Sequence, residues 1–257
     1  MAIVTTDNRH YKNIANAIRD TGIYEGPIPP EQMAGLITEA DQTAKQSGKQ
    51  EEYDRFWDAF QQNGNRKAYN YAFGGAGWTV ETFKPKYNMT PTRSDGMFHT
   101  ARIEGDLVEI LENCGVTIDL STCSTVAQTY VYSGLTRVGI QDTSASASLS
   151  MMFYSCGSLA TIDKLILKGD GSQEWSNTFF NCAKLENIMI EGKIGQNGFN
   201  VSWSVNLTHD SLMSIINALQ DKIGTGTAWT ITLGTANLAK LTDTEKAIAT
   251  QKGWTLA

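Results

Sequence analysis

No stretch of this chain approaches the roughly 18 consecutive apolar residues that a membrane-spanning helix needs, so bilayer insertion is not expected. Runs of lysine or arginine are missing too, and the formal net charge is −6. Nucleic acid and anionic membranes are therefore poor partners, because their phosphates would be repelled and not neutralised. Proline is scarce, 5 residues against 23 glycines, a balance that suits many tight turns between short strands. The four cysteines (Cys114, Cys123, Cys156 and Cys182) form no C-x-x-C pair, and the three histidines (His10, His99 and His209) lie far apart in sequence. Structural zinc needs close Cys/His spacing, so no metal or other cofactor is expected. The opening MAIVTTDNRHYKN lacks the basic and apolar regions of a secretory signal. The expectation is synthesis in the cytoplasm, with free thiols and not disulfides.

Catalytic signatures are equally sparse. There is no G-x-S-x-G, no H-E-x-x-H and no calcium-loop ladder. The Gly74–Gly77 stretch lacks the Gly-Lys-Ser/Thr ending of a phosphate loop and reads better as a tight turn. His99 has Asp95 nearby and His209 has Asp210 beside it, neighbours that chance supplies. The chain is read as a non-enzyme. A carboxylate pair assembled by the fold is left open, since spacing across a fold is invisible in sequence.

What is present is an ordinary globular composition, 41% apolar and 19% charged over 257 residues, enough to bury a sizeable core. Residues 1–40 read as a helical attachment segment. Tyr11, Ile14, Ala15 and Ile18 fall on one helical face, and after the stiff Gly26–Pro30 turn Met33, Leu36 and Ile37 share another. Both helices are too short to stand alone. Residues 41–96 comprise a polar hinge, an amphipathic helix and an aromatic, glycine-rich connector. In the helix Tyr53, Phe56, Trp57 and Phe60 recur at i, i+3, i+4, i+7. Together, Ile14, Ile18, Met33, Leu36, Ile37, Tyr53, Phe56, Trp57 and Phe60 are candidates for an oligomer or docking face, although packing onto the chain's own repeats is the simpler use of the aromatic helix.

From residue 97 the chain resembles itself. Met152–Ile162 (MFYSCGSLATI) and Thr178–Ile188 (TFFNCAKLENI) share Phe, Cys, Leu and Ile at identical offsets, 26 residues apart. Tyr130–Ile140 is a looser copy shortened by two residues, and Met97-Phe98 followed by Ile103 and Leu107 is a degenerate first one. Short apolar strands are expected at Val138–Ile140, Leu165–Leu167 and Ile188–Ile190. Such a period marks a solenoid over 97–200, because one repeat cannot enclose its own apolar side chains while stacked copies can. The predicted repeat core is Phe153, Cys156, Leu159 and Ile162 lying over Phe179, Cys182, Leu185 and Ile188, with the cysteines acting as small buried apolar groups. Residues 201–257 are read as a capping unit. It would hold a helix opened by Thr208 or Asp210, a strand at Trp229–Leu233, a helix started by the capping box Thr242–Glu245 and closed by Gly253, and a last edge strand at Trp254–Leu256.

The stretch MFYSCGSLATIDKLIL…FFNCAKLENIMIEGKIG resembles the BspA-type leucine-rich repeats of bacterial surface and phage proteins. The tail from Leu207 to Ala257 is similar to the C-terminal part of repeat proteins in tail modules of phages and prophages of Gram-positive gut bacteria, and IANAIRDTG…IPPEQMAGLITEA resembles a helical segment of their tail and baseplate proteins. The resemblance implies an α+β protein: a short leucine-rich-repeat-like solenoid with N-terminal helices and a C-terminal helix–strand cap. It further implies a virion (tail) protein, a homo-oligomer with a trimer as the expected stoichiometry, whose partners are other tail or baseplate proteins and a host cell-surface polymer or protein. The alternatives are a purely architectural tail or capsid accessory subunit and a wall-degrading tail hydrolase. Solvent-exposed aromatics on one face would favour host binding, since sugars stack on such rings. Sequence does not say which of Trp175, Trp203 and Trp229 are exposed.

Overall fold

The computed structural model describes residues 83–101 and 103–257, with Glu51 and Phe73. The chain divides into two compact units, Met1–Asn63 and Gly64–Ala257, and all the described residues except Glu51 belong to the second. The helices expected within 11–37 and the glycine turn at 74–77 lie outside the described residues, as does the helix expected over 51–62 except for Glu51, which is helical.

Helices combine with a four-stranded parallel sheet in chain order: β1 (Glu104–Asp106), β2 (Gly134–Asp142), β3 (Thr161–Ile166) and β4 (Asn187–Glu191). Parallel neighbours cannot be joined by a two-residue hairpin, so each connection must travel out and back. The returning segments carry the motifs that recur in sequence. In register, Val138 pairs with Ile162, and Ile162 with Ile188, and all three side chains are buried. The inward positions do not alternate strictly: Leu135, Val138 and Gln141, then Leu159, Ile162 and Leu165, are buried at every third residue. A regular strand would alternate in twos, and a register irregularity between Ile162 and Leu165 accompanies the departure. The strands accordingly differ from their expected limits. The one expected at 165–167 begins at Thr161, and Ile140, expected in an apolar strand, is 59% exposed.

The connections stack through a second set of backbone bonds. Phe98 and Thr100 donate to the carbonyls of Thr129 and Val131, Tyr130 and Tyr132 to those of Met152 and Tyr154, and Phe153 and Ser155 to those of Thr178 and Phe180, all at 2.7–3.0 Å. Inside them runs a column of rings. Phe98, Tyr130, Phe153 and Phe179 lie 5.3–5.7 Å apart with interplanar angles of 8° or less. Phe73 and Phe83 close on Phe98 at one end, and Phe199 on Phe179 at the other. Burying a Phe or Leu fully is worth about 1.5–3 kcal/mol, so this column is a principal source of stability. Its polar rungs are satisfied. The Tyr130 hydroxyl donates to Gln141 Oε1 at 2.8 Å, and the buried Gln173 amide donates to the carbonyls of Thr143 and Ser146.

Two helices meet the sheet. The first, α1 (Leu107–Cys114), was not expected where a degenerate repeat was read; Asp106 caps its start through Val108 and Glu109 N–H, and Gly115 ends it in the left-handed region. The second, α2 (His209–Ala218), is capped by Thr208 and buries Leu212, Ile215 and Ile216. It covers the otherwise open edge of β4: the N–H groups of Ile188 and Ile190 donate to the hydroxyls of Ser211 and Ser214 at 3.0 and 2.8 Å. Beyond it, β5 (Trp229–Ile231) and β6 (Trp254–Leu256) pair in parallel around the one-turn α3 (Thr235–Leu238) and α4 (Asp243–Gln251). The Thr242–Glu245 capping box is present at the start of α4. Trp254 is buried, its indole donating to the Gln220 carbonyl at 2.7 Å.

Candidate binding surface

The predicted repeat-core residues Phe153, Cys156, Leu159, Ile162, Phe179, Cys182, Leu185 and Ile188 are all 1% exposed or less. The Cys156 thiol donates to the Tyr130 carbonyl and that of Cys182 to the Phe153 carbonyl, both at 2.9 Å. Burial pushes the Cys156 and Cys123 thiols up to about 11 and raises Cys182 further. Raised, buried thiols hold no thiolate near neutrality, which is the reverse of a nucleophile's requirement. Among the described residues no group of three metal-ligating side chains comes together, and no helix is long and apolar enough to cross a membrane. His209 Nε2 lies 2.8 Å from Glu245 Oε1, where it ties α2 to the start of α4. The docking-face candidates from Ile14 to Phe60 lie outside the described residues.

What converges instead is a second row of rings on the outside of the stack. His99, Tyr132, Tyr154, Phe180 and Trp203 follow one another with centroid separations of 6.3, 5.7, 4.9 and 5.0 Å. Tyr132 is 54% and Trp203 49% exposed, while Tyr154 and Phe180 are half-buried. Local backbone conformation sets the row. Thr100, Tyr132, Ser155 and Asn181 occupy equivalent places with φ of 54–56°, as do Gln128, Met151 and Asn177, four residues earlier in their own segments, at 52–57°. The left-handed kink turns the chain at each end of the short segment holding the inner and outer rings. Non-glycine residues adopt it at a cost, and asparagine tolerates it best.

At the Trp203 end the row borders a cavity of about 250 Å³ lined by Trp175, Ser176, Asn177, Phe180, Gly198, Asn200 and Trp203. No charged side chain lines it. Gly198, with φ +100°, permits the close approach there, because a Cβ would stand 2.6 Å from the Trp175 carbonyl oxygen. Trp175 is only 6% exposed, and its indole Nε1 is buried without a hydrogen-bond partner. The Asn200 side-chain oxygen accepts from the Ser202 N–H and hydroxyl, which holds the turn. Of the three tryptophans whose exposure was open, Trp203 is thus at the surface, Trp175 is buried and Trp229 is half-buried beneath Lys222.

The outer row was missed in sequence because its members do not share one offset. Tyr154 and Phe180 directly follow the inner ring of their segment, but Tyr132 stands two places after Tyr130, with the buried Val131 between. The doublets Phe153-Tyr154 and Phe179-Phe180 were the available signal. A larger cleft lined by Glu104, Asp106 and Glu109 offers less, since Asp106 is already occupied by the α1 cap and by Arg137 Nη1 at 3.2 Å. Compared with family models, with curated proteins and with solved structures, the chain has no match.

Proposed function

We propose that this protein is a non-enzymatic subunit of a bacteriophage tail or baseplate that binds a polymer of the host cell surface, and that residues 97–200 form a short leucine-rich-repeat-like solenoid serving as the binding scaffold. The observation that carries this reading is the outer aromatic row, His99–Tyr132–Tyr154–Phe180–Trp203, with its most exposed rings at Tyr132 and Trp203. Exposed rings at a spacing of about 5–6 Å give a linear polymer a series of stacking contacts, each weak and together strong. The resemblance of both flanking segments to phage tail proteins supports the virion assignment, and that of the repeats to BspA-type leucine-rich repeats supports the scaffold. On this reading the helices expected from sequence within residues 1–62 dock to neighbouring tail proteins or to further copies in a homo-oligomer, with a trimer expected.

The test is sedimentation of the purified chain with cell walls from permissive strains, alongside immunogold labelling of particles induced from the encoding strain. Wall binding that falls at least tenfold in a Tyr132→Ala/Trp203→Ala variant, with label at the distal tail, is expected. Absence of wall binding across the panel would sink the host-contact reading. Label on the head would sink the tail assignment.

A further inference from the structure

We infer that the cavity beside Trp203 is a subsite for a single neutral pyranose ring. The inference rests on the host-polymer reading and names the chemistry recognised at one end of that surface. A sugar ring has an apolar face and a rim of hydroxyls, so its site needs an open aromatic face flanked by planar amides or hydroxyls. This cavity holds both. Trp203 is tilted 57° from Phe180 and is half-exposed, a platform for the apolar face. The lining also includes Asn177, Asn200 and Ser176, residues that carry two amides and a hydroxyl. Asn200 has its oxygen tied down by Ser202, so its nitrogen is a fixed donor for a sugar hydroxyl. Asn177 is held at φ 52° by the stacked backbone, and its amide has no hydrogen-bond partner among the described residues.

Two further features narrow the occupant. The volume of about 250 Å³ falls below the roughly 300–1,000 Å³ of pockets that take drug-sized ligands, which limits the site to one ring. The lining carries no charge, so neither a uronate nor a phosphorylated sugar finds a counter-ion there. Trp175 forms one wall, and its buried N–H lacks an acceptor.

The experiment is titration of the full chain with glucose, galactose, N-acetylglucosamine and N-acetylgalactosamine, following tryptophan emission and competition with cell walls. At least one of the four should change the emission with a Kd on the order of 1 mM, as expected of a single ring. Asn177→Gly suits the backbone angle while deleting the amide, and Asn200→Asp keeps the turn-holding oxygen while deleting the donor. Each should weaken the sugar by roughly tenfold, the scale of one lost hydrogen bond. Tyr132→Ala, outside the cavity, should weaken wall binding and leave the sugar titration unchanged. If walls bind but none of the four sugars perturbs the protein or competes, the subsite is overturned and the host-polymer reading stands. If a sugar binds here but walls do not, the subsite stands and that reading falls. An emission change that survives both asparagine substitutions would also overturn the subsite.

Discussion

At Cys156 and Cys182 the thiol hydrogen is directed to a carbonyl of the preceding segment, and the positions equivalent to Cys156 in neighbouring segments are filled by other small residues. Ser133 precedes it, its hydroxyl 3.6 Å from the Cys156 sulfur, and Ser204 follows Cys182 and donates to that residue's carbonyl at 3.1 Å. A small side chain with one donor is what this column requires, since it sits against backbone and must satisfy it. The cysteines therefore serve packing. Burial raises the pKa of Cys123, Cys156 and Cys182 well above the ordinary thiol value, and raises that of the partly exposed Cys114 less. A higher pKa keeps the reactive thiolate scarce until the pH nears that value, and enclosure excludes reagent even then. A disulfide-exchange reagent at pH 8 should accordingly label Cys114 alone in the native protein, with the other three reacting at the rate of unfolding. Rapid native labelling of Cys156 would contradict the packing described.

Among the elements, α2 has the clearest division of labour. Its apolar face covers the core, while Ser211 and Ser214, three residues apart and so on one side of the helix, accept the two N–H groups that β4 would otherwise offer to another strand. Open parallel edges invite pairing with a second chain. Ser211→Ala/Ser214→Ala should therefore act twice. Each orphaned N–H costs about 1–3 kcal/mol, which lowers the urea midpoint, and the bared edge should produce association that grows with protein concentration in size-exclusion chromatography. A variant that loses no stability and stays at its original size would show the hydroxyls to be dispensable. The helix itself was legible in sequence, because Leu212, Ile215, Ile216 and Leu219 recur at helical spacing behind a Thr208 cap. Its edge-covering role was not, since a serine pair carries no periodic signal. The strands were legible only in part, because buried positions at every third residue match neither the strand nor the helix period. Helix α1 was hidden by the assumption that Leu107 belonged to a repeat, although Asp106 and Gly115 are ordinary start and stop residues.

For the whole molecule, two parallel rows of rings follow from one repeated motif. The inner row was visible as a recurring phenylalanine and supplies cohesion. The outer row emerged only when the left-handed kinks brought Tyr132 into line with Tyr154, Phe180 and Trp203, which no fixed offset in the sequence encodes. If the row and its terminal cavity bind as proposed, through stacking and neutral hydrogen bonds, salt separates this mode from an electrostatic one. Raising ionic strength from about 0.1 to 1 M shortens the screening length from about 10 to 3 Å, which would abolish attraction between exposed charges but leave stacking intact. The chain carries a net charge of −6, and the walls of the Gram-positive hosts that the resemblance implies, if rich in phosphate, would repel it, so screening should if anything assist approach. Wall binding is therefore expected to hold or strengthen across that salt range and to be lost in Tyr132→Ala/Trp203→Ala at every salt concentration. Binding that collapses with salt and survives the double substitution would move the contact to charged side chains, and the aromatic row would then be left without a ligand.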